Sequence, residues 1–159
     1  MHTTRASRCR PRGLSRGVAA IELAILLMPM VLMMFGAIEF GRAIYTYNTL
    51  DKTVRDAARH LSQHGPGDTA IQSEARCLAV YGNTGCSGNP LAPGLTVSAI
   101  GVCDALSCPG THAAQATGSG VVNLVSATVQ NYQYNAIVGL VMANVLTFNN
   151  ISATMRAQL

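Results

Sequence analysis

Apolar residues follow three regimes along this 159-residue chain. From Val18 to Ile38 they are nearly continuous, and Glu22 is the only charge in those 21 residues. At ~1.5 Å per residue such a run makes about 31 Å of helix, one hydrocarbon thickness. Pro29 removes a backbone donor and crowds the carbonyl of Ile25, which predicts a kink there. From Phe40 onward the apolar residues instead recur at three- and four-residue steps: Phe40, Ala43, Ile44, Tyr47, Leu50, Val54, Ala57, Ala58 and Leu61. That stripe predicts an amphipathic continuation of the same helix over residues 39–64, stopped by Gly65-Pro66-Gly67. Asp51 with Arg55, and Lys52 with Asp56, are spaced to pair on its exposed face.

The third regime is shorter in period. Asp68 or Thr69 can cap a helix through about Tyr81, closed by Gly82-Asn83. Leu95–Cys103 alternates, with Leu95, Val97 and Ala99 on one side and Thr96, Ser98 and Ile100 on the other. Val121–Tyr134 reads as a longer strand, with Val125, Ala127 and Val129 opposite Tyr132 and Tyr134. Ile151–Leu159 alternates again, and residues 104–120 read as loop. Ala136–Leu146 is apolar without alternation and reads as a short helix or a lipid-facing loop. The predicted class is α+β: a long N-terminal transmembrane and amphipathic α-helix packed on a small antiparallel β-sheet. The division is a basic leader over 1–17, a membrane helix over 18–38, its amphipathic continuation over 39–64, and an extracytoplasmic α+β domain over 65–159.

The net charge of +4 sharpens the membrane reading. Of the 11 Lys and Arg residues, Arg5, Arg8, Arg10, Arg12 and Arg16 lie in the leader, leaving six against seven acids. A basic segment ahead of an apolar run keeps the N-terminus cytoplasmic and places the rest across the membrane. A near-neutral remainder argues against a nucleic-acid-binding face. The leader has no adjacent arginine pair, so a twin-arginine signal is excluded. A cleaved secretory signal peptide fits less well, because Phe35 would occupy a small-residue position and Glu22 interrupts the entry to the apolar core. Four cysteines, Cys77, Cys86, Cys103 and Cys108, follow the run. In an exported domain they predict two disulfides. Three connectivities exist. Cys77–Cys86 and Cys103–Cys108 are favoured because each closes a short loop, with free thiols or zinc as alternatives. The spacings fit zinc knuckles poorly.

Glu22 carries the functional argument, because a carboxylate inside a membrane-length run is costly unless it has a partner or a task. A peptidase at the cytoplasmic face that cuts after Gly17 makes Val18 the new N-terminus and Glu22 the fifth residue. In a staggered bundle of parallel helices, that carboxylate can meet the neighbouring subunit's terminal ammonium. The simpler reading is a glutamate reaching out to the headgroups. Glu39 invites the same simple reading, at the outer interface and paired with Arg42.

Other chemistry is thin. His60 and His64 are four apart on a helix but lack a third ligand, so cations at a helix C-terminus are the better reading. Gly118-Ser119-Gly120 reads as a turn, and Asn150-Ile151-Ser152 matches a short glycosylation pattern that arises by chance. Tyr132 and Tyr134 suit packing within the domain. No catalytic residues, cofactor or metal are expected.

The stretch Arg16-Gly17-Val18-Ala19-Ala20-Ile21-Glu22-Leu23-Ala24, with Glu39-Phe40-Gly41-Arg42 and Ala57-Ala58-Arg59 beyond it, resembles the TadE-like family of minor pilins, or pseudopilins, of bacterial tight-adherence (Flp) pilus systems. The region from Val129 to Ala157 is loosely similar to that family's distal β-rich part. The resemblance implies a type IV pilin-like fold and processing at Gly17 and Val18 by a prepilin peptidase. It also implies assembly through Glu22 with other pilin subunits and the pilus assembly platform. Residence would be in the bacterial inner membrane as a single-pass protein with a cytoplasmic N-terminus and a periplasmic C-terminal domain, with incorporation into a surface pilus as a further destination that the resemblance implies. Leu23 stands where the major Flp pilins usually carry Tyr, and about 95 residues follow the helix, which points to an accessory pilin. The competing expectation is an uncleaved single-pass protein whose external domain binds a ligand or a secretion component. A membrane-tethered enzyme is disfavoured because no constellation supports one.

Overall fold

Helix α1 (Leu14–Ser62) runs unbroken through Pro29. It opens the part of the chain that the computed structural model describes: residues 14–118, 120–137, 139 and 145–158. Most of the basic leader lies outside these residues. So does much of the apolar segment 136–146, where the expected helix or loop gives way to strand from Val145. Among the described residues, α1 is the one helix long and apolar enough to cross a membrane, and its apolar run is exposed in the isolated chain.

After the Gly65–Gly67 break comes α2 (Thr69–Tyr81). The Asp68 side chain caps it by accepting from the Ala70 and Ile71 amides, and Gly82 closes it in the left-handed region with φ 74°. This is the favoured chemistry at each end, an oxygen for orphan N–H groups and glycine for positive φ. Three strands form the central sheet: β1 (Ile100–Cys103), β4 (Leu124–Val129) and β7 (Ile151–Arg156), in the order β1-β4-β7 and antiparallel throughout. The register pairs Ala127 with Val102 on one side and Ala153 on the other. Two hairpins flank it, β2 (Gln115–Thr117) with β3 (Gly120–Val122), and β5 (Gln133–Asn135) with β6 (Val145–Thr147). A single-turn helix, α3 (Pro109–His112), precedes β2. The core joins Leu50, Val54, Ala57, Ala58 and Leu61 of α1 to Ala75, Ala79 and Val80 of α2 and to Val125, Ala127, Val129 and Ile151 of the sheet.

Several local expectations are corrected. Leu95–Cys103 is not one strand. A 3₁₀ turn at Val97–Ala99 shifts the phase, so Leu95 and Ile100 are both buried although alternation set them on opposite sides. The expected strand Val121–Tyr134 divides into β3, β4 and β5. Asn131 has φ 51°, which breaks the strand before β5. The break turns Tyr132 and Tyr134 inward, on the same side as Val129. The expected 104–120 loop contains α3 and β2. The stripe of α1 is also split: Leu50 to Leu61 face the core, whereas Phe40, Ile44 and Tyr47 are exposed and Glu39, Thr46 and Thr53 are buried. Asp51 and Arg55 pair at 2.7 Å. Lys52 and Asp56 form no ion pair among the described residues.

Candidate functional site

At the base of α1, Gly17 meets nothing within 4 Å of where a Cβ would stand, and Val18 is exposed. In a helix that begins at Leu14, Gly17 and Val18 lie within about the first turn, where few amides have an i−4 carbonyl to bond. Glycine is also among the weakest helix formers. Opening the Gly17–Val18 bond into an extended form therefore disturbs little of the helix. Glu22 lies four residues, about 6 Å of rise, beyond Val18 and on the same face. It is exposed between Ile21 and Leu23, and it has no hydrogen-bond or ion-pair partner among the described residues.

The second carboxylate of α1 has the opposite surroundings. Glu39 is only 1% exposed. Its Oε1 accepts from the Tyr134 hydroxyl at 2.7 Å, from Arg42 at 2.9 Å and from the Ile137 amide at 3.2 Å. The Tyr134 donation, helped by the Ile137 amide and the Arg42 charge, holds the carboxyl below its ordinary range against the opposing effect of burial. Burial, then the Glu39 carboxylate, push the Tyr134 phenol up. Arg42 also lies 5.7 Å from the Tyr134 ring centre, and Phe148 stacks on that ring at 5.9 Å. The Glu39–Arg42 pair was legible from its spacing. The burial was not, because its other partners arrive 95 and 98 residues later. Removing the hydroxyl with Tyr134→Phe is expected to speed amide exchange in Gln133–Ile137 on the order of tenfold while leaving α2 protected. Hydrogen exchange on the full chain measures this.

Both disulfides join neighbours in sequence: Cys77 pairs with Cys86 (Cα–Cα 4.8 Å) and Cys103 with Cys108 (Cα–Cα 5.5 Å). The first ties α2 to the loop after it. The second closes a loop whose Asp104 carboxylate collects donors from three segments: the amides of Gly67, Leu106 and Ser107, the Ser107 hydroxyl, and the Gln72 side chain. His112 lies near Cys103 and Cys108. Those sulfurs are bonded to each other, however, and the ring faces Thr111 and Ser126 at 2.7 Å each, so the group offers no thiolate to a metal. His60 faces Glu74 at 3.2 Å, tying α1 to α2, and His64 contacts the His60 carbonyl.

Comparison with curated proteins and with solved structures gives no match. A family model, TadE-like protein, matches from Gly17 to Arg59. The match covers Gly17, Val18, Glu22, the apolar run, Glu39 and Arg42, and it ends before α2. Residues 17–59 of this chain are therefore similar to the TadE-like family.

Proposed function

We propose that this protein is a minor pilin, or pseudopilin, of a tight-adherence (Flp) type IV pilus system, and that it acts in pilus assembly or initiation and hence in adhesion. The carrying observation is the placement of Gly17, Val18 and Glu22 at the foot of an exposed apolar helix, within the segment that matches the TadE-like family. In this reading a prepilin peptidase cuts after Gly17 at the cytoplasmic face. The span over residues 18–38 holds the subunit in the bacterial inner membrane, with the domain outside. The new Val18 ammonium and Glu22 emerge on one face of the helix, and each pairs with its counterpart on a staggered neighbour. Glu22 has open apolar surroundings in the single chain, which suits a charge whose partner comes from another subunit. The partners are other pilin subunits and the assembly platform, and the role is structural rather than enzymatic.

Intact-mass measurement of protein purified from its native membrane tests the assignment. The expected species begins at Val18 and carries two disulfides, and Gly17→Trp is expected to abolish its formation. A protein that retains Met1–Gly17 would instead support an uncleaved single-pass protein with a ligand-binding external domain.

A further inference from the structure

We propose that the groove between α1 and residues 91–93 is a phospholipid site that takes the phosphate of an anionic glycerophospholipid at Arg42. This rests on the reading of residues 18–38 as a membrane span, not on cleavage at Gly17. The groove holds about 410 Å³. Ile38, Gly41, Arg42 and Tyr45 of α1 form one wall, and Leu91 and Pro93 form the other. That second wall is fixed at both ends. The Leu91 amide donates to the Val80 carbonyl at 2.7 Å, and the Tyr132 hydroxyl donates to the Pro93 carbonyl at 2.7 Å. The groove is therefore built into the fold.

Depth and charge name the ligand. Arg42 stands four residues, about 6 Å of rise, past Ile38, at the level where a span over 18–38 meets the lipid phosphates. Its Nη1 donates to Glu39 at 2.9 Å, while its Nη2 and Nε have no hydrogen-bond partner among the described residues. The Glu39 contact orients the planar fork. Tyr134 and the Ile137 amide share the Glu39 charge, so the free edge of the guanidinium keeps its donors for a phosphate. No atom lies within 4 Å of where a Gly41 Cβ would stand, which leaves room beside Arg42 for the glycerol backbone. At Ile38 the groove opens onto the exposed apolar surface of the span, where acyl chains lie in this reading. Farther along, the Thr46 and Thr49 hydroxyls donate to the Arg42 and Tyr45 carbonyls, so toward a ligand their oxygens accept. That suits the hydroxyls of a headgroup. Lys52 lines the continuation of the groove past Thr49, one turn before Asp56, and opposes a choline or ethanolamine ammonium. The ligand these features fit is an anionic lipid with a polyol headgroup, as in phosphatidylglycerol.

Native mass spectrometry of the full-length protein in detergent, titrated with phosphatidylglycerol, phosphatidylethanolamine or phosphatidylcholine, tests the site. Wild type is expected to hold one phosphatidylglycerol on the order of tenfold more tightly than either other lipid, the worth of a charge-assisted hydrogen bond. Arg42→Gln and Gly41→Trp should both lose that preference. Gly41→Trp protects the test against misfolding, because it keeps the Glu39–Arg42 pair and places the indole in open space. Arg156→Gln, at an exposed arginine on β7, should keep the preference. Equal binding of the three lipids by wild type, or a preference retained in either groove variant, refutes the site. Loss of the preference in Arg156→Gln as well would mark a nonspecific charge effect and refutes it too. Displacement of the bound lipid by inorganic phosphate would mean a free-phosphate pocket, which also refutes a lipid site. The chain has no tryptophan, so Met28→Trp in vesicles with brominated acyl chains checks the span separately. Quenching by bromine supports the span whatever the groove binds, and its absence overturns the membrane reading on which the site depends.

Discussion

Asp104→Ala is expected to destabilise the domain by about 3–5 kcal/mol, a large part of the ~5–15 kcal/mol typical of a folded domain. One carboxylate, 3% exposed, holds three segments that the chain order keeps apart. Its Oδ1 accepts from the Leu106 and Ser107 amides and the Ser107 hydroxyl. Its Oδ2 accepts from the Gly67 amide at 2.9 Å and the Gln72 side chain at 2.8 Å. Gly67 turns the chain between α1 and α2 with φ 84°, close to Leu106. Alanine would leave these donors without an acceptor and with little access to water. Asp104→Asn should lose less, about 1–3 kcal/mol, because its NH₂ can replace only one oxygen and would face donors there. Acidity supplies an independent check. Burial alone would push this carboxyl up, but the Ser107 and Gly67 amides, with the Gln72 and Ser107 side chains, hold it well below its ordinary 3.8. A carboxyl depressed in the folded state contributes fully above its unfolded value, and the contribution fades as pH falls toward the folded one. Wild-type stability should therefore decline below about pH 4, and that part of the decline should be absent in Asp104→Asn. Thermal unfolding of the detergent-solubilised protein across pH measures both effects. Equal pH dependence in the two proteins would show that Asp104 does not carry the effect.

Glu22→Gln is expected to lower incorporation into pili by on the order of 100-fold while leaving membrane insertion intact. The asymmetry has a physical basis. Insertion depends on the apolar residues of 18–38, and losing a charge from the span can only ease it. Assembly in the proposed form instead buries Glu22 against a neighbour's terminal ammonium. Breaking a buried pair by removing one partner costs about 3–5 kcal/mol, more than two decades in an equilibrium. Comparing the protein in sheared pilus fractions with that in the membrane fraction gives the readout. Unaltered incorporation would remove Glu22 from the assembly mechanism and return it to the role of a glutamate reaching for the headgroups.

The two glutamates of α1 mark how far the sequence could be read. Glu22 stood out because everything that gives it meaning is local: Gly17 five residues before it, the arginines ahead and the apolar residues around it. Glu39 looked like an ordinary interfacial charge because only Arg42, three residues on, was in view. Its burial depends on Tyr134 of β5 and on Ile137 just beyond it, which lie 95 and 98 residues later in the chain. The strand errors have the same origin. Alternation gave the correct faces for Ile151–Arg156, where no irregularity intervenes. It failed at Ile100 and at Tyr132, because a 3₁₀ turn and a positive φ at Asn131 each shift a period-two pattern.

The sequence alone determined the long apolar run, its amphipathic continuation, the breaks at Gly65–Gly67 and Gly82, and the five-residue spacing of Gly17 and Glu22. Each of these is written in a run, a period or a spacing of a few residues, and local physics acts at that range. The tertiary structure alone decided which side of α1 meets the sheet, that Glu39 is enclosed, that Asp104 joins three segments, and that residues 91–93 wall a groove beside Arg42. Those outcomes depend on contacts between residues tens of positions apart, whose pairing is set by the competition of whole surfaces for burial rather than by any pattern within one of them.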